Sequence, residues 1–168
     1  MIVVADTTPI ITLMKLQRLD LLEKLFGTVI IPHAVYEELI SNTNYLDEKQ
    51  MIVECLFLKQ LEVSDRQSIK ILREVVGLDV GESEAIALAE EKHANLLIID
   101  ERKGRRVAKQ MDLKIIGTIG ILLQAFDCEI LSKTEILSYA EILKNSRIRI
   151  SDTLFELVLN HVKTHVPD

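Results

Sequence analysis

The sequence contains no tryptophan, and its aromatic content is only 4%. Leu, Ile and Val must therefore fill the core, which suits helices packed on a buried parallel sheet. Two cysteines, Cys55 and Cys128, are too few for a disulfide framework and lack metal-ligand spacing, so we expect buried or incidental thiols in a reducing cytoplasm. No apolar run approaches the roughly 20 residues of a membrane-spanning helix. Asp6 follows a short apolar start with no basic region before it, so we expect no secretory signal and a cytoplasmic protein.

The rest of the composition is that of an ordinary globular protein. Of the 168 residues, 48% are hydrophobic and 27% are charged, which suits one domain with a sizeable core and a helical appendage. The formal net charge of −6 argues against nucleic-acid binding through overall charge. It does not exclude a site that holds nucleic acid through metal ions and one local basic patch.

Short apolar runs alternate with helical patterns along the chain. This alternation predicts an α/β fold with a mostly parallel sheet and helices on both faces. The expected strands cover residues 2–5, 29–31, 61–63, 96–99 and 114–116. The main expected helices cover residues 21–26, 34–40, 47–55, 66–76, 81–93, 102–111, 120–126, 133–143 and 151–162, with a further helix from residue 7 and a loop at 41–44.

Acidic residues stand where such a fold places its ligands. Asp6 and Asp100 are each the first polar residue after an apolar strand, and parallel sheets bind ligands beyond the carboxyl ends of their strands. Either aspartate alone would also serve as a helix cap or turn residue.

Helical geometry selects two more carboxylates. At about 3.6 residues per turn, Glu82 shares a face with the small apolar residues of its helix, whereas Glu84 and Glu91 are expected to face solvent. In the helix expected at residues 34–40, Glu38 flanks the apolar face and Glu37 lies opposite it. Glu38 and Glu82 are therefore the inward-facing candidates.

Bringing several carboxylates together is unfavourable unless cations compensate their charge. An all-oxygen ligand set suits Mg²⁺ or Mn²⁺, and these ions support phosphoryl chemistry. The hydroxyls of Thr7 and Thr8 are placed to orient Asp6 or a water on the metal. The candidate metal ligands and catalytic residues are Asp6, Glu38, Glu82 and Asp100.

Four segments resemble the motifs of PIN-domain ribonucleases. Residues 3–9 (VVADTTP) resemble the opening motif, and residues 32–39 (PHAVYEEL) resemble the second, in which the acid directly before Leu is functional. Residues 81–89 (GESEAIALA) are similar to the third motif, whose acid aligns with Glu82, and the last acid falls on Asp100. The second motif selects Glu38, so both choices agree with the helical geometry. The tail around residues 150–154 is similar to a prokaryotic PIN-like branch.

The resemblance implies a three-layer α/β/α sandwich with a parallel sheet of four to five strands in the order 3-2-1-4-5. It implies a PIN-like nuclease domain over residues 1–126 and a C-terminal helical extension over residues 127–168. It also implies a metal-dependent endoribonuclease, with many relatives being dimeric toxins of type II toxin–antitoxin modules, so that RNA, an antitoxin and a second copy are the expected partners. Two departures are the Glu at position 82, where Asp is commoner, and the lack of an Asp-x-Asp pattern after Asp100.

A basic segment follows Asp100. Its cations are either a solvated helix face or a clamp for the RNA backbone, since phosphates are held chiefly by Arg and Lys. Alternatively, Arg102 pairs with the acidic cluster and holds its geometry. The candidate RNA-binding residues are Arg102, Lys103, Arg105 and Arg106, with Lys109 beside them.

Two features near the C-terminus are weaker signals. His161 and His165 have the i, i+4 spacing of metal ligands, but no third ligand is evident in the nearby sequence, which favours an exposed terminal helix. Arg147 and Arg149 flank Ile148, and an RNA contact by this part of the tail has little support.

Two other functions compete with a ribonuclease. A metal-dependent phosphohydrolase with an aspartyl nucleophile also places Asp after an apolar strand, but such enzymes typically resemble Asp-x-Asp-x-Thr, and here Thr8 replaces the second acid. A non-catalytic interaction or RNA-binding module would keep the fold for binding only, and an intact set of four acids argues against it.

Overall fold

A computed structural model describes residues 1–41, 46–146 and 150–165 of the chain. The chain forms two compact units, Met1–Gly117 and Thr118–Asp168. The expected division into a nuclease domain over residues 1–126 and an extension over residues 127–168 is drawn further along the chain and stays a prediction. Within the described ranges, no helix is long and apolar enough to cross a membrane.

The first unit contains a single five-stranded sheet in which all paired strands run parallel. Its order, β3-β2-β1-β4-β5, confirms the predicted topology. The third strand was expected at residues 61–63, and this was wrong. The edge strand has one buried residue, Leu58, followed by three exposed ones, so it carries no apolar run that marks its position. The strands are β1 (Val3–Ala5), β2 (Val29–Pro32), β3 (Leu58–Leu61), β4 (Leu96–Ile98) and β5 (Ile115–Ile116).

Helices connect these strands, as the alternating pattern predicts. Gly27 ends the second helix with a φ of 70°, a backbone conformation that favours glycine. Ser41, expected in a loop, ends the third helix, and the remainder of that loop, residues 42–44, lies outside the described residues. The helices are α1 (Thr7–Lys15), α2 (Asp20–Phe26), α3 (His33–Ser41), α4 (Leu46–Val53), α5 (Arg66–Ile71) with a π-helical turn at Leu72–Val76, α6 (Val80–Glu91) and α7 (Arg102–Gln110).

Both faces of the sheet are buried. Val4, Leu97 and Ile99 pack with the apolar residues of α6 and α7 on one face. Side chains alternate along a strand, so Ala5 and Ile98 point to the other face, where they are also fully buried. This arrangement is the expected three-layer α/β/α fold.

The second unit is helical. Its helices contact one another, and each of the last two begins with a serine, Ser132 or Ser151, whose side chain accepts a backbone N–H of the first turn. Cys128 is exposed in this unit and Cys55 of the first unit is half-buried, so neither is the fully buried thiol that was one of the two expectations. The helices are α8 (Thr118–Asp127), α9 (Lys133–Asn145) and α10 (Asp152–Thr164).

Candidate active site

Asp6 lies at the carboxyl end of the central strand of the sheet. It directly follows β1 and precedes α1, and its backbone N–H donates to the Ile98 carbonyl of β4 at 2.9 Å. Only 3% of Asp6 is exposed. A carboxylate has therefore been withdrawn from water at the position where parallel sheets bind their ligands.

The carboxylates of Glu38 and Asp6 both lie near Gly81, at the start of α6. It is half-buried on α3, whereas Glu37 is exposed. A Cβ atom built on Gly81 would lie 3.1 Å from Glu38 Oε2 and 3.5 Å from Asp6 Oδ1. The two carboxylates thus converge on the first turn of α6, and the absence of a side chain at Gly81 leaves room for them.

The Thr7 side chain holds one of these carboxylates in place. Its buried hydroxyl donates to Glu38 Oε2 at 2.8 Å, and the same oxygen lies close to the virtual Cβ of Gly81. The Thr7 hydroxyl thus orients Glu38, and the Thr7 backbone N–H also acts on the Asp6 carboxylate. At Thr8, the carbonyl oxygen accepts the Thr12 hydroxyl at 2.9 Å, which gives this residue a role in the helix.

Glu82 enters the site as part of a helix cap. Its backbone N–H donates to Asp79 Oδ1 at 2.8 Å, and its Oε2 accepts the Asp79 backbone N–H at 3.2 Å. This reciprocal capping box fixes the start of α6. Its other oxygen, Oε1, lies 2.9 Å from the position of a Cβ on Gly104, and only 7% of Glu82 is exposed.

Sequence analysis missed Asp79. The apolar pattern indicated a helix from Gly81, but α6 begins at Val80 with Asp79 as its N-cap. The signal was present, because Asp79 and Glu82 have the Asp-x-x-Glu spacing that resembles a capping box. Asp79 is a further carboxylate whose charge acts on Asp6.

Asp100 lies beyond the carboxyl end of β4, the strand next to β1. A Cβ on Gly117 would lie 2.7 Å from Asp100 Oδ1 and 2.9 Å from Arg105 Nη1. The Arg105 side chain also donates to the Ile99 carbonyl at 2.8 Å. Arg105 therefore lies near an acid of this site, whereas Arg102 is exposed and its pairing with the acidic cluster stays a prediction.

Burial dominates the electrostatics of the site. Desolvation raises the pKa of Asp6 to about 7, and the Asp79, Glu82 and Glu38 charges add to that increase while the Thr7 backbone opposes it. Desolvation, followed by the charge of Asp79, also raises the pKa of Glu82. Both shifts show that negative charge is unfavourable here without a compensating cation.

The donor set fits a hard divalent cation. Among residues 1–41, 46–146 and 150–165, no Lys or Arg forms an ion pair with Asp6, Glu38 or Glu82. Carboxylate oxygens are the ligands that Mg²⁺ and Mn²⁺ prefer. A bound divalent ion would offset the cost of a buried negative charge at Asp6, to which burial contributes most and the neighbouring carboxylates add.

The basic residues after Asp100 divide into two groups. Lys103 Nζ donates to the Gly77 carbonyl at 3.2 Å, a contact on the side of the helix toward the π-helical turn. The other group surrounds a shallow depression on α7 and consists of Arg102, Arg105, Arg106 and Lys109 with Gln110. We call this group the α7 basic patch.

A second cationic group was not predicted. Arg66, Lys70 and Arg73 line a depression of about 420 Å³ whose wall also includes Val80 and Glu84 of α6. Val80 and Glu84 place this depression at the first turns of α6, on the face of the helix opposite Glu82. We call Arg66, Lys70 and Arg73 the α5 basic strip.

Two glutamates of α6 were expected to face solvent, and this was wrong for Glu84. Glu84 is half-buried and accepts the Ala34 backbone N–H at 2.8 Å, which ties α6 to the start of α3. Glu91 accepts the Ser64 backbone N–H at 2.8 Å. The helical geometry gave their direction relative to the sheet but not the neighbouring backbone, which is distant in sequence.

Comparison with known families agrees with this geometry. A family model described as a PIN domain matches residues 2–164. The chain belongs to the PIN-domain family, whose members generally have a nuclease fold and usually bind divalent metal. Comparisons with curated proteins and with solved structures found no match.

Proposed function

We propose that this protein is a metal-dependent endoribonuclease that cleaves RNA phosphodiester bonds. One observation carries the proposal: the Asp6 carboxylate, 3% exposed, shares the start of α6 with Glu38 and Glu82. A fold that needed these acids only as caps would have no reason to bury Asp6 at the strand end at such electrostatic cost.

The four carboxylates share one task in this proposal, which is to hold the metal ion. Asp6, Glu38, Glu82 and Asp100 would hold Mg²⁺ or Mn²⁺, and the ion supplies a more acidic water and stabilises charge on the phosphate oxygens. Thr7 holds Glu38 at the ligand position through its 2.8 Å hydrogen bond. Gly81 leaves the space between Asp6 and Glu38 free of a side chain.

The basic groups supply the contacts to the RNA backbone. The α7 basic patch follows Asp100 directly, and the α5 basic strip lines a depression beside the start of α6. In the proposal, these cations hold phosphates of the RNA backbone without sequence preference. Lys103, bound to the Gly77 carbonyl, would contribute charge from a more fixed position.

The partners follow from the family resemblance. We propose that the protein acts in the cytoplasm as a homodimer and as the toxin of a toxin–antitoxin module. Exposed apolar side chains on and after α4, including Leu46 and Leu56, each 85% exposed, are candidates for a contact with a second copy or an antitoxin. Light scattering tests the dimer, and co-purification with the product of an adjacent reading frame tests the antitoxin.

A matched pair of glutamates tests the nuclease proposal. Glu38→Gln removes the charge of the half-buried neighbour of Asp6, and Glu37→Gln removes the same charge from an exposed position one residue away. We expect Glu38→Gln to reduce Mn²⁺-dependent RNA cleavage by about 100-fold and Glu37→Gln to leave it unchanged. Equal activity of the two variants would refute the assignment of Glu38.

A non-catalytic role is the second candidate, and the capping box is the observation that favours it. Asp79 and Glu82 have a structural reason to be where they are. Glu82→Gln separates the roles, because Gln also serves at this position of a capping box but is a poorer ligand for Mn²⁺. Unchanged stability with weakened Mn²⁺ binding supports the nuclease, whereas unchanged stability with unchanged Mn²⁺ binding supports the cap alone.

A further inference from the structure

Two histidines and an aspartate meet within the second unit. His161 and His165 lie at the end of α10, and Asp127 is the last residue of α8. One potential ligand atom from each lies within 4.8 Å of the other two. Sequence analysis found no third ligand for the histidine pair. Asp127 lies 34 residues before His161, so the fold and not the sequence spacing brings it beside the two histidines.

One of the two distances within the group is close to the separation of ligand atoms around a metal ion, and the other is that of a hydrogen bond. His161 Nε2 lies 2.6 Å from Asp127 Oδ1, and His165 Nδ1 lies 3.6 Å from the same oxygen. Ligand atoms of a tetrahedral Zn²⁺ ion are separated by about 3.3 Å, given Zn–N and Zn–O bonds of about 2.1 Å. Small rotations of the Asp127 and His161 side chains would therefore admit an ion.

All three side chains are accessible to an ion from solvent. The exposed fractions are 37% for His161, 29% for His165 and 43% for Asp127. One side of the group is apolar, because the Phe126 ring lies 4.8 Å from the His165 ring, centroid to centroid. A half-open site with one apolar wall favours binding of an ion while leaving a coordination position for water.

We propose that Asp127, His161 and His165 form a Zn²⁺ site that links the end of α8 to the end of α10. Imidazole nitrogen prefers Zn²⁺ and similar transition-metal ions over Mg²⁺, which prefers oxygen. Two His and one carboxylate with a free fourth position are a common zinc ligand set. The site therefore differs in metal preference from the carboxylates of the first unit, and it does not depend on the proposed nuclease function.

Cu²⁺ used as a probe in place of Zn²⁺ tests the ligand set directly. We expect the electron paramagnetic resonance spectrum of the full-length protein with less than one equivalent of Cu²⁺ to show nitrogen hyperfine splitting. The carboxylate cluster contains only oxygen donors and cannot produce that splitting. His161→Gln and His165→Gln should each reduce the splitting from that of two nitrogens to that of one at most, and His93→Asn, which changes an exposed histidine of the first unit, should retain the two-nitrogen pattern.

Zn²⁺ titration calorimetry supplies the second measurement. We expect each of His161→Gln and Asp127→Asn to weaken one Zn²⁺ site by about 10-fold or more, and Asp6→Asn to leave that site intact. The melting temperature should rise with Zn²⁺ in the unmodified protein and rise less in the His161 and Asp127 variants.

Some results would overturn the proposal. A Cu²⁺ spectrum without nitrogen splitting, or Zn²⁺ binding that is the same in His161→Gln and the unmodified protein, would show that His161 and Asp127 form only a hydrogen bond between two helices. If the unmodified protein binds Zn²⁺ at this site but does not cleave RNA, the result counts against the nuclease proposal and not against the Zn²⁺ site. If His161→Gln fails to fold, the Zn²⁺ titration of Asp127→Asn decides the question.

Discussion

Thr7 donates its hydroxyl hydrogen to Glu38 across 2.8 Å, linking the first turn of α1 to the middle of α3. Thr7 directly follows Asp6 in the sequence, so one short segment supplies both a buried carboxylate and the group that orients its neighbour. The end of β1 therefore positions both Asp6 and the Thr7 hydroxyl that orients Glu38.

Thr7→Val should therefore damage the site without removing any acid. We expect a loss of about 1 kcal/mol in the free energy of unfolding, as for one buried hydrogen bond, and a Mn²⁺ affinity about 10-fold lower. Calorimetry and thermal melting measure the two effects. Thr8→Val is the control, because the described hydrogen bond of Thr8 uses its backbone carbonyl; a similar loss in both variants would contradict the role of the Thr7 hydroxyl.

The metal-free protein should become less stable as the pH rises. Burial raises the pKa of Asp6 from its ordinary value of 3.8 to about 7, so the folded chain keeps a proton there that the unfolded chain has lost. The stability from this protonated carboxyl is complete below about pH 4 and disappears as the pH passes about 7, a loss of at most about 4 kcal/mol. Glu82 acts in the same direction.

Denaturant unfolding in a chelating buffer between pH 4 and pH 8 measures this loss. Asp6→Asn should flatten the profile, because the amide does not titrate, and should be more stable than the unmodified protein at pH 8. Identical pH profiles for the two proteins would show that Asp6 is not the titrating group. Mn²⁺ should restore more stability at pH 8 than at pH 5, since metal and proton compete for the same carboxylates.

Gly104 is a position where any side chain should disturb the site. A Cβ there would lie 2.7 Å from Ile99 Cδ1 and 2.9 Å from Glu82 Oε1, both too close for van der Waals contact. We expect Gly104→Ala to destabilise the protein by about 1–3 kcal/mol and to weaken Mn²⁺ binding by displacing Glu82. Gly81→Ala, with its nearest contact at 3.1 Å, should cost less stability; the opposite order in thermal melting would contradict this packing.

The α7 basic patch should determine how RNA binding depends on salt. Arg106→Ala removes an exposed cation of the patch, so log Kd against log salt should lose about one unit of slope if Arg106 contacts one phosphate. Lys114→Ala is the control. Lys114 directly precedes β5 and therefore lies at the amino ends of the parallel strands, whereas Asp6 and Asp100 lie beyond the carboxyl ends. Filter binding over a range of salt concentrations measures the slope for each variant. Equal slopes for Arg106→Ala and Lys114→Ala would show that Arg106 does not contact the RNA backbone.

The sheet order was predicted from the family resemblance, whereas the placement of two acids was predictable from the sequence for a physical reason. β1 and β4 are buried apolar runs that end in a charged residue, so Asp6 and Asp100 mark their own strand ends. The predicted position of the edge strand β3 was wrong because its side chains are mostly exposed. Its pairing with β2 therefore produces no alternation of apolar and polar residues in the sequence.

Contacts between distant segments account for what the sequence did not reveal. Periodicity indicates which face of a helix is apolar, and it selected Glu38 over Glu37. It cannot indicate that Glu84 binds the backbone of Ala34, which lies 50 residues away in the chain, or that Asp127 lies beside His161. The spacing of Asp79 to Glu82 indicated the capping role of Asp79, but the helix was predicted to begin two residues later, at Gly81.

Single-turnover cleavage of a structured RNA in Mn²⁺ tests the central claim most directly. The unmodified protein should cut the RNA at internal positions, a chelator should abolish the reaction, and Asp6→Asn should be slower by about 100-fold or more while remaining folded. Cleavage that persists in the chelator, or that proceeds equally fast in folded Asp6→Asn, would contradict the account.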